Sequence, residues 1–286
     1  FLKKSSFDVF MTYAAQQWTT DLMLPILDEI KAKKVMVPCG YSALFDPMYK
    51  QYFKDLPAYL RKFDATVYMA ENYRDTNFAN KHKLNNTHLI PNGADENEFS
   101  KLPTKAEKDK IKKKYGIKGL ALMTIANYTG EKGHEELLYV FKRLPVKSAT
   151  LISAGTATPG VGSFDMFKER SERINASRKF PGKKVILLDG TKRNEVKEIL
   201  MCADIFVFLS NIEASPLVLF ESVAAGVPFI STAAGNSAEI AKWTKAGVIA
   251  KTHDKPNGRV MADRKDAIWQ ISKLVYNVPL RRRMGR

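Results

Sequence analysis

Short apolar runs alternate along this chain with longer stretches in which apolar residues recur every three or four positions. A short run bounded by turn residues reads as a strand buried on both faces, and the longer period as a helix with one apolar stripe. In the first part the pattern predicts strands at 7–13, 34–38, 65–69 and 87–90, with helices at 21–33, 47–54, 58–63 and 71–82. Leu22, Leu24, Leu27 and Ile30 would face inward from the first helix. Residues 96–118 are polar and lysine-rich. After them the pattern predicts strands near 119–126, 148–154, 184–188, 203–209, 227–231 and 247–250. Helices are expected near 132–144, 164–178, 192–202, 216–225, 236–243 and 263–277. Alternation at this spacing argues for an α/β protein with parallel sheets and right-handed crossovers. The second series has the count of a complete doubly wound domain, and the first only the later half of one. The expected division is 1–103 and 104–286, placed by the change in composition.

The stretch from Ala203 to Gly226 carries the first candidate chemistry. A buried strand leads into Asn211-Ile-Glu-Ala-Ser-Pro-Leu-Val-Leu-Phe-Glu221, and a helix follows. Ser215 is expected as N-cap and Pro216 as the first helical residue, where a missing N–H costs nothing. A strand, a short loop and a helix N-terminus make an anion site in an open parallel sheet. Glu213 and Glu221 frame that turn as hydrogen-bond acceptors, which suits a phosphorylated sugar with hydroxyls to hold. On spacing alone, two glutamates and a Ser-Pro helix start favour an ordinary solvated helix. Upstream, Asn127-Tyr-Thr-Gly-Glu-Lys132-Gly closes a strand and opens another helix, so Lys132 can lean over the same cleft and meet a diphosphate, or lie on the surface in a helix first turn, the commoner fate of a lysine.

The residues after Glu221 narrow the choice. The block from Glu213 to Glu239 resembles the nucleotide-sugar end of retaining GT-B glycosyltransferases, family 4 (group 1). Glu213 and Glu221 match that family's pair of glutamates with seven residues between, and Gly226 and Pro228 match the Ala-Gly-x-Pro tail. Pro91-Asn-Gly-Ala-Asp95 with Phe99 resembles the motif that ends the family's first domain. Lys132 matches the lysine of the family's Gly-Arg-x-x-x-x-Lys-Gly, whereas Asn127 stands at the arginine and Ala126 at the glycine. Asparagine donates hydrogen bonds but carries no charge, so the clamp on the phosphates is weaker by one cation or is completed from elsewhere. Cys39-Gly40 stands where the family has His-Gly.

The resemblance implies two Rossmann-like domains facing a cleft, the first incomplete, in a chain truncated at both ends. It implies sugar transfer from a nucleoside-diphosphate sugar to a glycan or lipid-linked acceptor, with retention, no cofactor and no metal. Lys132 and the helix start at Ser215, Pro216 and Leu217 would hold the diphosphate, with Asn127 beside them. Glu221 would take the ribose hydroxyls, and Gly190 and Thr191, after Asp189, the base, although Asp189-Gly190 reads equally as a plain tight turn. Glu213 would face the sugar ring and stabilise charge at the anomeric carbon. Cys39 and Gly40 would lie on the acceptor and sugar side. Two rivals remain: a degenerate GT-B module that binds a nucleotide without turnover, supported by Asn127 and Cys39, and a glycoside hydrolase, which also uses two carboxylates.

Charge and cysteines bear on location. The formal net charge is +16, and residues 104–286 carry 33 of the 46 Lys and Arg but only 18 of the 30 Asp and Glu. Attraction to an anionic membrane surface through Lys105, Lys108, Lys112, Lys113 and Arg281, Arg282 and Arg283 is one expectation, and a solvated face the other. Nucleic acid is disfavoured, because no binding motif accompanies the charge. Cys39 and Cys202 form no disulfide pattern. A cytoplasmic protein, peripheral on the inner face of the membrane, is therefore expected.

Overall fold

The computed structural model describes residues 6–157 and 159–285. The chain divides into two compact units. One runs to Asn92 and takes in Glu213–Ser215 and Pro256–Gly258; the other holds Gly93–Ile212, Pro216–Lys255 and the chain from Arg259 on. Division by composition and division by contacts thus differ over residues 93–103, which group with the second unit.

In the first unit, β1 (Val9–Tyr13), β2 (Lys33–Val37), β3 (Ala65–Tyr68) and β4 (Thr87–Leu89) form one sheet in sequence order, every pair parallel. The helix expected at 21–33 does not form as one piece. Helix α1 spans only Trp18–Asp21, and a 3-10 segment, Leu24–Glu29, follows. Pro25 lacks an N–H and its ring would clash with the carbonyl four residues back, at a cost of about 3 kcal/mol to an α-helix passing through it, and the helix ends before it. Lys33 is drawn instead into β2, paired with Val9. Leu24, Leu27 and Ile30 are buried as expected, but Leu22, at the end of α1, is 69% exposed. The two helices expected at 47–54 and 58–63 are instead a 3-10 turn, Pro47–Tyr49, and one helix, α2 (Lys50–Leu60), that continues through Pro57. Its buried face of Phe53, Leu56, Pro57 and Leu60 supplies the burial that offsets a lost backbone bond. Helix α3 spans Arg74–Lys81.

The second unit is doubly wound. Its sheet holds β5 (Leu120–Ile125), β6 (Ala149–Gly155), β7 (Lys183–Asp189), β8 (Ile205–Phe208), β9 (Phe229–Ser231) and β10 (Gly247–Ile249), all parallel, in the order β10-β9-β8-β5-β6-β7. Alternate residues feed two cores. Leu122, Leu151, Ile205 and Val207 face one side, against α5 (His134–Arg143), α6 (Ser163–Ala176) and α10 (Arg264–Tyr276). Met123, Ile152, Phe206 and Phe208 face the other, against α7 (Arg193–Leu200), α8 (Leu217–Ala224) and α9 (Ser237–Thr244). Burial on both faces is why these strands read as continuous apolar runs.

Three elements here were not legible as such in the pattern. A hairpin, β11 (Thr252–Asp254) and β12 (Val260–Ala262), and the final helix α11 (Val278–Met284) are short and mixed in composition. The lysine-rich stretch contains α4 (Lys105–Lys114), opened by a capping box between Thr104 and Glu107. Part of the basic charge is structural. Lys112 lies 3.3 Å from Asp204, Lys114 lies 3.3 Å from Glu198, and Arg281 donates to the carbonyls of Leu274 and Val275 at the end of α10. Among the described residues no helix is long and apolar enough to cross a membrane.

Candidate functional site

In the second sheet, β6 and β7 lie on one side of β5 while β8, β9 and β10 lie on the other. The connections therefore leave β5 and β8 in opposite directions, and the carboxyl ends of such a pair are where ligands bind in open parallel sheets. The loop after β5 is tied down along its length. Asn127 Oδ1 accepts from Thr156 N at 3.2 Å, and Tyr128 N donates to Thr156 O at 3.1 Å. Glu131 O accepts from Asn211 N, just past β8, at 2.9 Å. Gly133, with φ +66°, is the N-cap of α5, and a Cβ there would run into the Leu209 carbonyl. Lys132, half-buried, is held between that anchor and Gly130.

Two further contacts complete the rim. Arg259 Nε donates to Glu131 Oε1 at 2.9 Å, and Val260 N donates to Asn211 O at 2.9 Å, so the β11–β12 hairpin is fixed to both loops. Behind the loop, His134 is buried against Tyr128 and Phe167. Burial, reinforced by Lys132, pushes its imidazole down to about 4, so it is neutral near pH 7.

Glu221 projects from α8 with its side chain 14% exposed. Arg193 Nη2 lies 2.7 Å from Glu221 Oε1, and the same guanidinium holds Glu98. The other oxygen of Glu221, Oε2, is buried and has no hydrogen-bond partner among the described residues. Arg193 is the first residue of α7. A cation there opposes the helix dipole, at a cost of about 0.3–1 kcal/mol, which the two carboxylates offset. They also raise the pKa of the guanidinium further.

The expected site residues divide. Asn127, Lys132, Gly190, Thr191, Pro216, Leu217 and Glu221 belong to the second unit; Cys39, Gly40, Glu213 and Ser215 belong to the first. Gly190 N donates to Gly155 O at 3.0 Å and Asp189 Oδ1 accepts from Ala157 N at 2.8 Å, which joins the turns after β7 and β6. Ser215 does not cap α8. The N-cap is Pro216 and the helix begins at Leu217, while Ser215 Oγ is buried without a hydrogen-bond partner among the described residues. With ψ 109°, Pro216 is still extended, so the helix starts one residue later than the Ser-Pro pair suggests. Asn127 spends its carbonyl oxygen on Thr156, which leaves only its amide for a ligand. In the first unit, Gly40 N donates to Asp75 Oδ2 at 2.9 Å. Burial raises the Cys39 thiol, which disfavours the thiolate.

Sequence reasoning missed Arg193, Glu98, Glu131 and Arg259. One signal was available: an arginine at the first turn of a predicted helix runs against the dipole and asks for an acidic partner. Which acid supplies it, Glu221 or Glu98, depends on tertiary contact.

Residues 107–285 match the family described as Glycosyl transferases group 1. The mannosylfructose-phosphate synthase of Agrobacterium fabrum is 22% identical over 176 residues, covering 60% of this chain and 38% of that protein. The chain thus spans well under half of this curated relative. Among solved structures, HepE of Anabaena in complex with UDP and glucose superposes with a TM-score of 0.75 at 13% identity, over 98% of this chain and 71% of that one. Sucrose-phosphate synthase of Thermosynechococcus elongatus gives a TM-score of 0.74 at 14% identity, over 98% and 67%. These likenesses are to the GT-B fold, and with the match over most of the second unit they place the sequence: this chain belongs to the glycosyl transferases group 1 family.

Proposed function

We propose that this chain is the donor-binding part of a retaining glycosyltransferase that moves a sugar from a nucleoside-diphosphate sugar to a glycan or lipid-linked acceptor. The observation that carries the reading is the switch point itself, where the Lys132 loop leaves β5 and the helix bearing Glu221 follows β8. The diphosphate rests on Lys132 and the first free N–H groups of α8, from Leu217 on, with Ser215 and Pro216 just before them. Glu221 takes the ribose, and Gly190 and Thr191 take the base. Glu213 stabilises the positive charge that develops at the anomeric carbon. The acceptor oxygen attacks on the face the diphosphate leaves, and the departing diphosphate accepts its proton. The phosphate charge is placed on Lys132 and the helix dipole, and no metal is assigned. The first unit, with Cys39 and Gly40, serves the acceptor.

Support also comes from similar proteins: HepE is seen in complex with UDP and glucose, and the other two are a sucrose-phosphate synthase and a mannosylfructose-phosphate synthase. A panel of uridine, guanosine and adenosine diphosphates tests the reading. One of them at a hundred times its dissociation constant stabilises by about 2.7 kcal/mol. Thermal unfolding unchanged by all three would sink it. Transfer from the matching sugar nucleotide, unaffected by chelators and giving a product with the donor's anomeric configuration by NMR, tests the chemistry.

A further inference from the structure

The arginine at the start of α7 is held by two acids from distant parts of the second unit. Arg193 Nη2 reaches Glu221 Oε1 at 2.7 Å, while its Nε lies 3.3 Å from Glu98 Oε1. Glu98 is itself fixed. It sits on the 3-10 turn Glu96–Phe99, whose start is capped by Asp95 Oδ1 accepting from Asn97 N at 2.9 Å, and whose end, Phe99, is buried in the core. A rigid acid, a forked cation and a second acid therefore stand in series. The end of the series is Glu221 Oε2, a buried carboxylate oxygen with no donor among the described residues. Such an oxygen is costly to leave unsatisfied, and a donor from a ligand, such as a hydroxyl, would satisfy it.

We propose that Arg193 is a positioning residue which, braced by Glu98, fixes Glu221 so that Oε2 selects the ribose of the nucleotide over a deoxyribose. This rests on the donor reading above and adds to it a residue that makes no ligand contact of its own. Arg193 neutralises one side of the carboxylate and sets its plane. Without that clamp Glu221 is free to turn, and its acceptor no longer meets the sugar hydroxyl at a fixed angle. Binding of the diphosphate and base does not pass through this series.

The test is equilibrium binding of uridine, guanosine and adenosine diphosphates and of their 2′-deoxy and 3′-deoxy counterparts, by calorimetry on the full chain. Wild type should prefer one ribonucleotide over a deoxy counterpart by about tenfold or more, the range of a hydrogen bond to a charged group. Arg193→Met should bring the two affinities to within about twofold, with the loss confined to the ribonucleotide. Arg193→Lys should recover part of the preference, and Glu98→Gln should give an intermediate value. If Arg193→Met weakens both nucleotides by one common factor and keeps the preference, Arg193 is structural and the proposal fails while the donor reading stands. If Glu221→Ala keeps the full preference, or wild type shows none, the ribose role of Glu221 fails first. Should Arg193→Met not fold, Arg193→Lys and Glu98→Gln decide the question alone, an unchanged preference in both overturning it.

Discussion

Gly133 sits directly against the carbonyl oxygen of Leu209, with no room for a Cβ between them. This one contact sets the height of the Lys132 loop on the end of β8. It also combines with φ +66°, a conformation that residues with a Cβ rarely adopt. Gly133→Ala should therefore destabilise the protein by about 2–4 kcal/mol, from left-handed strain and displaced backbone together. Urea unfolding checks this, and a loss below about 0.5 kcal/mol, the size of a neutral surface change, would mean the loop is free to shift.

Asn127 gives a second expectation. Asn127→Arg places a cation near the proposed diphosphate but removes the acceptor for Thr156 N. The variant should bind a nucleoside diphosphate more tightly at low salt and lose the gain at high salt, because exposed charge pairs are screened within about 10 Å at 0.1 M. It should also melt at a lower temperature without ligand, since a hydrogen bond of about 0.5–1.5 kcal/mol is lost. Weaker binding at low salt would show that another group already fills the place.

His134 makes acid stability readable. Its folded-state pKa, lowered to about 4 by burial, lies below the ordinary 6.5. The unfolded chain therefore binds the proton first as pH falls. The stability linked to this residue is complete above pH 6.5 and is lost progressively towards pH 4, by about 3 kcal/mol in all. His134→Leu should unfold with a flatter dependence between those limits. The readout is the difference between the two proteins at pH 7 and pH 5, which cancels the carboxylates they share. Parallel curves would place His134 in water.

The basic surface predicts reversible, electrostatic attachment to anionic lipid. Lys105, Lys113, Arg282 and Arg283 are exposed, whereas Lys112 and Arg281 are turned to internal partners. Each surface cation near an anionic bilayer contributes on the order of 1 kcal/mol. Sedimentation with phosphatidylserine vesicles should carry the protein down at low salt and release it at high salt. Reversing Lys105, Lys113, Arg282 and Arg283 to Glu should abolish it, while Lys112 and Arg281 variants should act mainly on stability. Equal partition onto neutral and anionic vesicles, or onto neither, would leave the charge a matter of solubility.

The sequence by itself determined the strands of the six-stranded sheet and the helices that cover it, because those strands are buried between two layers and those helices carry an apolar stripe. Those are local properties: the run Ile205–Phe208 is apolar throughout whatever its neighbours are, and Gly226 ends a helix wherever it lies. The Glu213–Glu221 spacing was legible for the same reason, as was the Lys132 turn with its glycines. Only tertiary structure decided the rest. Pro25 stopped α1 while Pro57 did not stop α2, and the difference lies in the face that α2 buries. No local pattern joins Glu98, Arg193 and Glu221, because their pairing depends on where the segment before α4, the start of α7 and the middle of α8 come to rest. Ion pairs between distant segments leave no periodicity in a sequence. Their energy comes from desolvation and distance, and both are fixed only when the sheet has brought its loops to one edge.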